Sequence, residues 1–263
     1  MTHSQILFFA LSVWIGGVAW SPAVCADAPL IAAAASVRPA LEEISARYTQ
    51  TTGESVRLVF GSSGTLVKQI ANGAPYLLFL SANSDYVQWL ADRGLTAGPP
   101  VAYADGVLAL FARAGLLGER DNPMTGLGRA VENGTVKRLV IANPEYAPYG
   151  SAARAALKHA GLWLRVRPIL LVGANAAQAV QYALQGGVDA ALVPLPLARS
   201  ARLEETGYLQ ALPGETYPGV ELRQQMVLLP GADPGTRRFF TYLQSQDSRE
   251  IFLRHGLRRP GSH

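Results

Sequence analysis

The sequence predicts an α/β protein of two lobes, each a mainly parallel central sheet flanked by helices. Three observations predict it. Short apolar runs alternate with helix-period patterns over residues 30–94, and the rhythm returns over 107–193. No Pro/Gly/Ser-rich linker, low-complexity stretch or fixed-period repeat separates the halves, so strands must join them. Small, polar, glycine-flanked turns sit where strands pass into helices.

The elements follow in order. Residues 30–35 read as a buried strand. A helix follows over 37–49, with Leu41, Ile44 and Tyr48 at helical spacing. Residues 55–60 alternate as a strand, and 64–71 form a helix with Leu66, Val67 and Ile70 on one face. A strand at 77–81 and a helix at 85–93, ended by Gly94, close the first half. The second half has strands at 107–112, 138–142, 167–172 and 190–193. Its helices are 151–160, closed by Gly161, and 176–184, closed by Gly186-Gly187. A strand at 223–229 and helices at 234–244 and 248–255 end the chain. The crossing and hinge candidates are 103–107 and 222–225. They divide the chain into lobe 1 (27–105 and 223–263) and lobe 2 (106–222), with a ligand cleft between them.

Residues 1–26 contain no Asp, Glu, Lys or Arg. An apolar run, 6–20, precedes Ser21-Pro22 and Ala23-Val24-Cys25-Ala26, which reads as a secretory signal cleaved after Ala26. The run is interrupted by Gly16-Gly17 and falls short of the ~20 residues of a bilayer span. A periplasmic location follows. Cys25 is the only cysteine, and Pro22-Ala23-Val24 before it is a poor lipidation motif. After cleavage no thiol remains, so disulfide, cysteine-nucleophile and cysteine-metal chemistry are excluded.

Of the 263 residues, 49% are hydrophobic and 16% charged, which fits a folded chain and excludes a largely disordered one. The net charge of +4 suits an anionic ligand and is far from a nucleic-acid surface. The densest basic group, Arg254, Arg258 and Arg259, reads as a solvated tail.

Four strand-to-helix junctions carry the chemistry, because ligands of open α/β sheets sit beyond the carboxyl ends of strands. They are Ala34-Ala35-Ser36-Val37, Phe60-Gly61-Ser62-Ser63-Gly64-Thr65, the stretch from Asn143 to Gly150, and Gly173-Ala174-Asn175-Ala176-Ala177. The first N–H groups of a helix lack intrahelical acceptors, and the macrodipole adds about half a positive charge. A dianion is stabilised there without Lys or Arg. The plainer reading is that Ser36, Ser63 and Asn175 are ordinary helix caps.

Catalytic signatures are largely absent. His159, His255 and His263 show no i+3 or i+4 pairing for zinc. Gly61-Ser62-Ser63-Gly64 lacks the spacing of a nucleophile elbow and the lysine of a phosphate-binding loop. Glu145 has no partner carboxylate nearby.

The junctions resemble the periplasmic molybdate-binding proteins of ABC importers, over essentially all of the chain after residue 26. The resemblance rests on Ala34-Ala35-Ser36-Val37-Arg38-Pro39-Ala40-Leu41 and on Phe60-Gly61-Ser62-Ser63-Gly64-Thr65-Leu66 with Gln69-Ile70 and Gly73-Ala74-Pro75. It extends to Leu78-Phe79-Leu80-Ser81-Ala82, Ala142-Asn143-Pro144-Glu145 with Ala147-Pro148-Tyr149-Gly150, and Asn175 with Gln178. It implies a two-lobed periplasmic-binding-protein fold that binds molybdate or tungstate without catalysis or cofactor, the molybdenum held only as its oxyanion. The hydroxyl and N–H of Ser36 and Ser63 and the N–H groups of Tyr149 and Ala176 would hold the anion, with Asn175 and Ser62 as neighbours. A membrane permease is the implied partner, and the protein would act as a monomer. Pro194 stands where many relatives carry a tyrosine, Leu77 where Asp is usual, and Ala174 where Glu is common. Two alternatives stay open: another small anion, sulfate-like or a carboxylate, and a secreted serine hydrolase using Ser62 or Ser63.

Overall fold

The structure is a computed structural model that describes residues 28–117 and 122–261. The signal segment, its cleavage point and Cys25 lie outside the described residues. Among the described residues no helix is long and apolar enough to cross a membrane.

The chain begins with β1 (Leu30–Ala34), a 3-10 turn (Ala35–Val37), α1 (Arg38–Thr52), β2 (Arg57–Gly61), α2 (Ser63–Ala71), β3 (Leu78–Ser81), α3 (Ser84–Ala91) and β4 (Val101–Asp105). It continues through β5 (Leu108–Arg113), α4 (Pro123–Glu132), β6 (Leu139–Ala142), α5 (Pro148–His159), α6 (Trp163–Val166), β7 (Leu170–Gly173), α7 (Ala176–Leu184), β8 (Ala190–Pro194), α8 (Leu195–Ser200) and β9 (Gly207–Ala211). It ends with β10 (Arg223–Leu228), α9 (Pro234–Tyr242) and α10 (Gln246–Arg254).

Two five-stranded sheets result, ordered β2-β1-β3-β10-β4 and β7-β6-β8-β5-β9. Each is parallel apart from one strand, β10 in the first and β5 in the second, which runs antiparallel to both neighbours. The connections are reciprocal. Edge strand β4 leads across residues 106–107 into β5 of the other sheet, and edge strand β9 leads back through 212–222 into β10. The strands are apolar on both faces because helices cover both sides: Ile31, Ala32, Leu78, Phe79 and Leu80 in the first sheet, and Leu139, Val140 and Ile141 in the second, are fully buried. One core cluster of the second sheet includes Ala34 and Ala82 of the first, so the lobes are packed together.

Several elements differ from the sequence reading. Residues 123–132 form a helix that the sequence did not announce. Its Gly126 and Gly128 lower helix propensity, and burial of Met124, Leu127 and Ala130 overrides that. Strands β4 and β9 and the short α8 were also unread. The helix expected from residue 151 starts at Pro148, since proline suits the first helical position. The strand expected over 167–172 is shortened, because Arg167–Ile169 forms a 3-10 turn around Pro168, which has no N–H for a ladder.

Candidate oxyanion site

The carboxyl ends of the central strands face each other. Ala34 pairs with Gly61 at the ends of β1 and β2, and Ala142 with Gly173 at the ends of β6 and β7. The loops leaving these ends enclose one cavity lined by Ser36, Ser62, Ser63, Ala82, Tyr149 and Ala176, among others, with an empty volume of about 210 Å3. No charged side chain lines it.

Each donor has a local cause. Ser36 lies in the 3-10 turn between β1 and α1, and the N-cap of α1 is Val37. The capping role considered for Ser36 is therefore corrected. Its hydroxyl is buried, with the residue 2% exposed, and it has no hydrogen-bond partner among the described residues. A buried hydroxyl left unpaired is uncommon, so this one calls for a partner in the cavity it lines. Ser63 is the first residue of α2, and the cap position belongs to Ser62. The Ser63 hydroxyl accepts from Ala82 N–H at 3.0 Å, which orients its own proton elsewhere. The Ser62 hydroxyl donates to Thr65 Oγ1 at 2.7 Å.

From the second lobe, Ala147 caps α5 and Pro148 has no N–H, so Tyr149 carries the first available donor of that helix. Gly150 lets α5 start this close to β6: a Cβ there would lie 2.3 Å from the Ala142 carbonyl oxygen. Ala176 is the first residue of α7. Asn175 is its cap and accepts from Gln178 N–H at 3.0 Å, and it does not line the cavity. The capping reading thus holds for Asn175. Pro194 ends β8, pairs with Leu108 and is likewise outside the lining.

Tyr149 is anchored from behind. Its hydroxyl accepts from Gln224 Nε2 at 3.2 Å, and Gln224 Oε1 accepts from Tyr103 at 2.7 Å. Burial, with the Tyr217 phenol next in importance, holds the Tyr149 hydroxyl well above the ordinary tyrosine range, so it stays neutral. Gln224 is fully buried at a register shift in β10, which places this chain of hydrogen bonds at the crossing between lobes.

The arrangement can bind an anion by neutral donors. It offers little for nucleophilic chemistry. Neither described histidine is a partner of Ser62 or Ser63: His159 ends α5, about 15 Å along the axis from Tyr149, and His255 Nε2 lies 2.8 Å from Glu43. Glu145 is paired with Arg154 at 2.5 Å. Among the described residues no group of three or more His, Cys, Asp or Glu could hold a metal ion. The sequence reading missed the Ala82 N–H and the Tyr146 carbonyl. Both are backbone groups, and no residue type marks them.

The family model for bacterial extracellular solute-binding proteins matches residues 29–258. The chain belongs to this family. Among these solute-binding proteins, it is 30% identical to the molybdate-binding protein ModA of Azotobacter vinelandii over 86% of this chain and 88% of that one. It is 27% identical to ModA of Rhodobacter capsulatus over 89% of each chain. The solved structure of the Azotobacter vinelandii periplasmic molybdate-binding protein superimposes with a TM-score of 0.79 at 26% identity, covering 88% of this chain and 99% of that one.

Proposed function

We propose that this solute-binding protein captures one molybdate or tungstate ion between its lobes and delivers it to the membrane permease of an ABC importer. The observation that carries the reading is the buried, unpartnered Ser36 hydroxyl in a small neutral cavity where the N-termini of α2, α5 and α7 converge. The hydroxyl and N–H of Ser36 and Ser63 and the N–H groups of Tyr149 and Ala176 hold the anion, with Ser62 bracing the α2 start and Asn175 capping α7. Relatives named for molybdate binding support the choice of anion. Neutral donors bind a dianion firmly yet allow its release. The protein acts as an exported monomer, cleaved after Ala26, with no catalytic step and no cofactor. Lobe 1 is 27–105 with 223–263, lobe 2 is 106–222, and both hinge at the two crossings.

The test is calorimetric titration of phosphate-free protein with molybdate, tungstate and sulfate. Saturable binding of molybdate and tungstate at one ion per chain, with sulfate far weaker, is expected. Preference for sulfate or a carboxylate overturns the assignment.

A further inference from the structure

The two lobes touch beside the cavity through their backbones. Gly64 follows Ser63 at the start of α2, and Tyr146 lies three residues before Tyr149 in the opposite lobe. The Gly64 N–H donates to the Tyr146 carbonyl oxygen at 2.9 Å. This N–H belongs to the first turn of α2 and has no intrahelical acceptor, so the other lobe supplies one. The Tyr146 side chain extends the contact, with Lys68 Nζ 4.2 Å from its ring centroid. The approach leaves no room for a side chain: a Cβ on residue 64 would lie 2.9 Å from the Tyr146 oxygen and 2.7 Å from the Tyr86 hydroxyl.

The contact joins protein to protein, so it sets a lobe separation that the ligand does not choose. It also lies one residue from the Ser63 donor, where a change in separation alters cavity width directly. Hydrogen bonds tolerate only a few tenths of an ångström before they weaken. Metal–oxygen bonds in molybdate and tungstate exceed the sulfur–oxygen bond of sulfate by a similar amount. A cleft stopped at fixed width lets the larger anions reach donors of both lobes at once and leaves sulfate short on one side.

We infer that Gly64 and the Tyr146 carbonyl form a mechanical stop that fixes the closed cleft and thereby selects tetrahedral anions by size. The inference rests on the oxyanion reading above. Its test is Gly64→Ala, titrated with sodium molybdate and sodium sulfate. Ala suits a helix, and in open lobes it meets only the movable end of Tyr86, so the ligand-free melting temperature should hold. The widened cleft should weaken molybdate roughly tenfold or more and sulfate less, which narrows the preference. An unchanged molybdate-to-sulfate ratio, whether or not both affinities fall, overturns the stop. The double variant Gly64→Ala/Tyr86→Phe removes the hydroxyl contact at 2.7 Å and leaves only the ring carbon Cζ, at 3.0 Å, from residue 86. The narrowed ratio should persist in it, and recovery of the wild-type ratio would assign the effect to Tyr86 and overturn the inference. If the wild type fails to bind molybdate, the functional reading falls. If it binds and Gly64→Ala keeps its preference, only the stop falls.

Discussion

Ser36→Ala and Ser63→Ala should weaken anion binding alike and differ in what they do to the empty protein. The Ser36 hydroxyl has no partner among the described residues. Its loss removes one charge-assisted hydrogen bond to the anion, about 1.5–3 kcal/mol, or one to two decades in affinity. Ligand-free stability should stay level or rise slightly, because an unpaired buried hydroxyl disappears. Ser63 accepts from the buried Ala82 N–H at 3.0 Å. Its loss costs the same bond to the anion and also strands that N–H, destabilising the empty protein by about 1–3 kcal/mol. Calorimetry gives the affinities, and urea melts without ligand give the stabilities. Two results would refute the reasoning: Ser36→Ala binding molybdate like the wild type, or Ser36→Ala destabilising the empty protein as much as Ser63→Ala.

Further perturbations test the supports of the site. Gly150→Ala should destabilise lobe 2 by about 1–3 kcal/mol through overpacking, because its Cβ would sit 2.3 Å from the Ala142 oxygen; thermal melts measure it. Gln224→Leu removes the Gln224 bonds to the Tyr149 and Tyr103 hydroxyls, although Tyr103 keeps the Ser81 carbonyl at 3.3 Å and Tyr149 keeps the Val107 backbone; it should cost about 0.5–1.5 kcal/mol of stability, with Gln224→Glu retaining more, and urea melts compare them. At acid pH, Glu43 is the group to follow. The His255 hydrogen bond, opposed by desolvation and helped by the Arg254, His255 and Arg47 charges, holds its carboxyl below the usual range. A depressed carboxylate pKa contributes stability above its unfolded value, and the contribution is lost as pH falls through the folded one. The wild-type melting temperature should therefore drop more than that of Glu43→Gln between pH 5 and 3, values taken about the ordinary carboxylate range. The difference should be under about 1 kcal/mol, since the pair is part-exposed.

Much of the fold is legible because it is written in local periodicity. Leu66, Val67 and Ile70 mark one face of α2, and the apolar stretch at Leu78–Ser81 marks a strand buried on both sides. Elements with weak local signals escape. The helix at Pro123–Glu132 carries two glycines, and β9 is only part-buried along its length. Their conformation is decided by what packs on them.

The same division runs through the site. Local sequence determines that helices begin within the small polar turns at 61–65, 143–150 and 173–177, and so that unpaired N–H groups stand there, although the start at Pro148 lies three residues before the one expected. It also determines the Asn175 cap, a bond to a residue three positions on. The hydroxyl that is free is decided only by tertiary structure. Ser63 is turned by Ala82, 19 residues away, and Gly64 meets Tyr146 from the other lobe. Ser36 is left without a partner because the described segments that bury it bring no polar atom within hydrogen-bond reach of its hydroxyl. Hydrogen bonds between residues near in sequence follow from backbone geometry alone. Those between distant residues depend on how the two sheets are brought face to face, and nothing local encodes that.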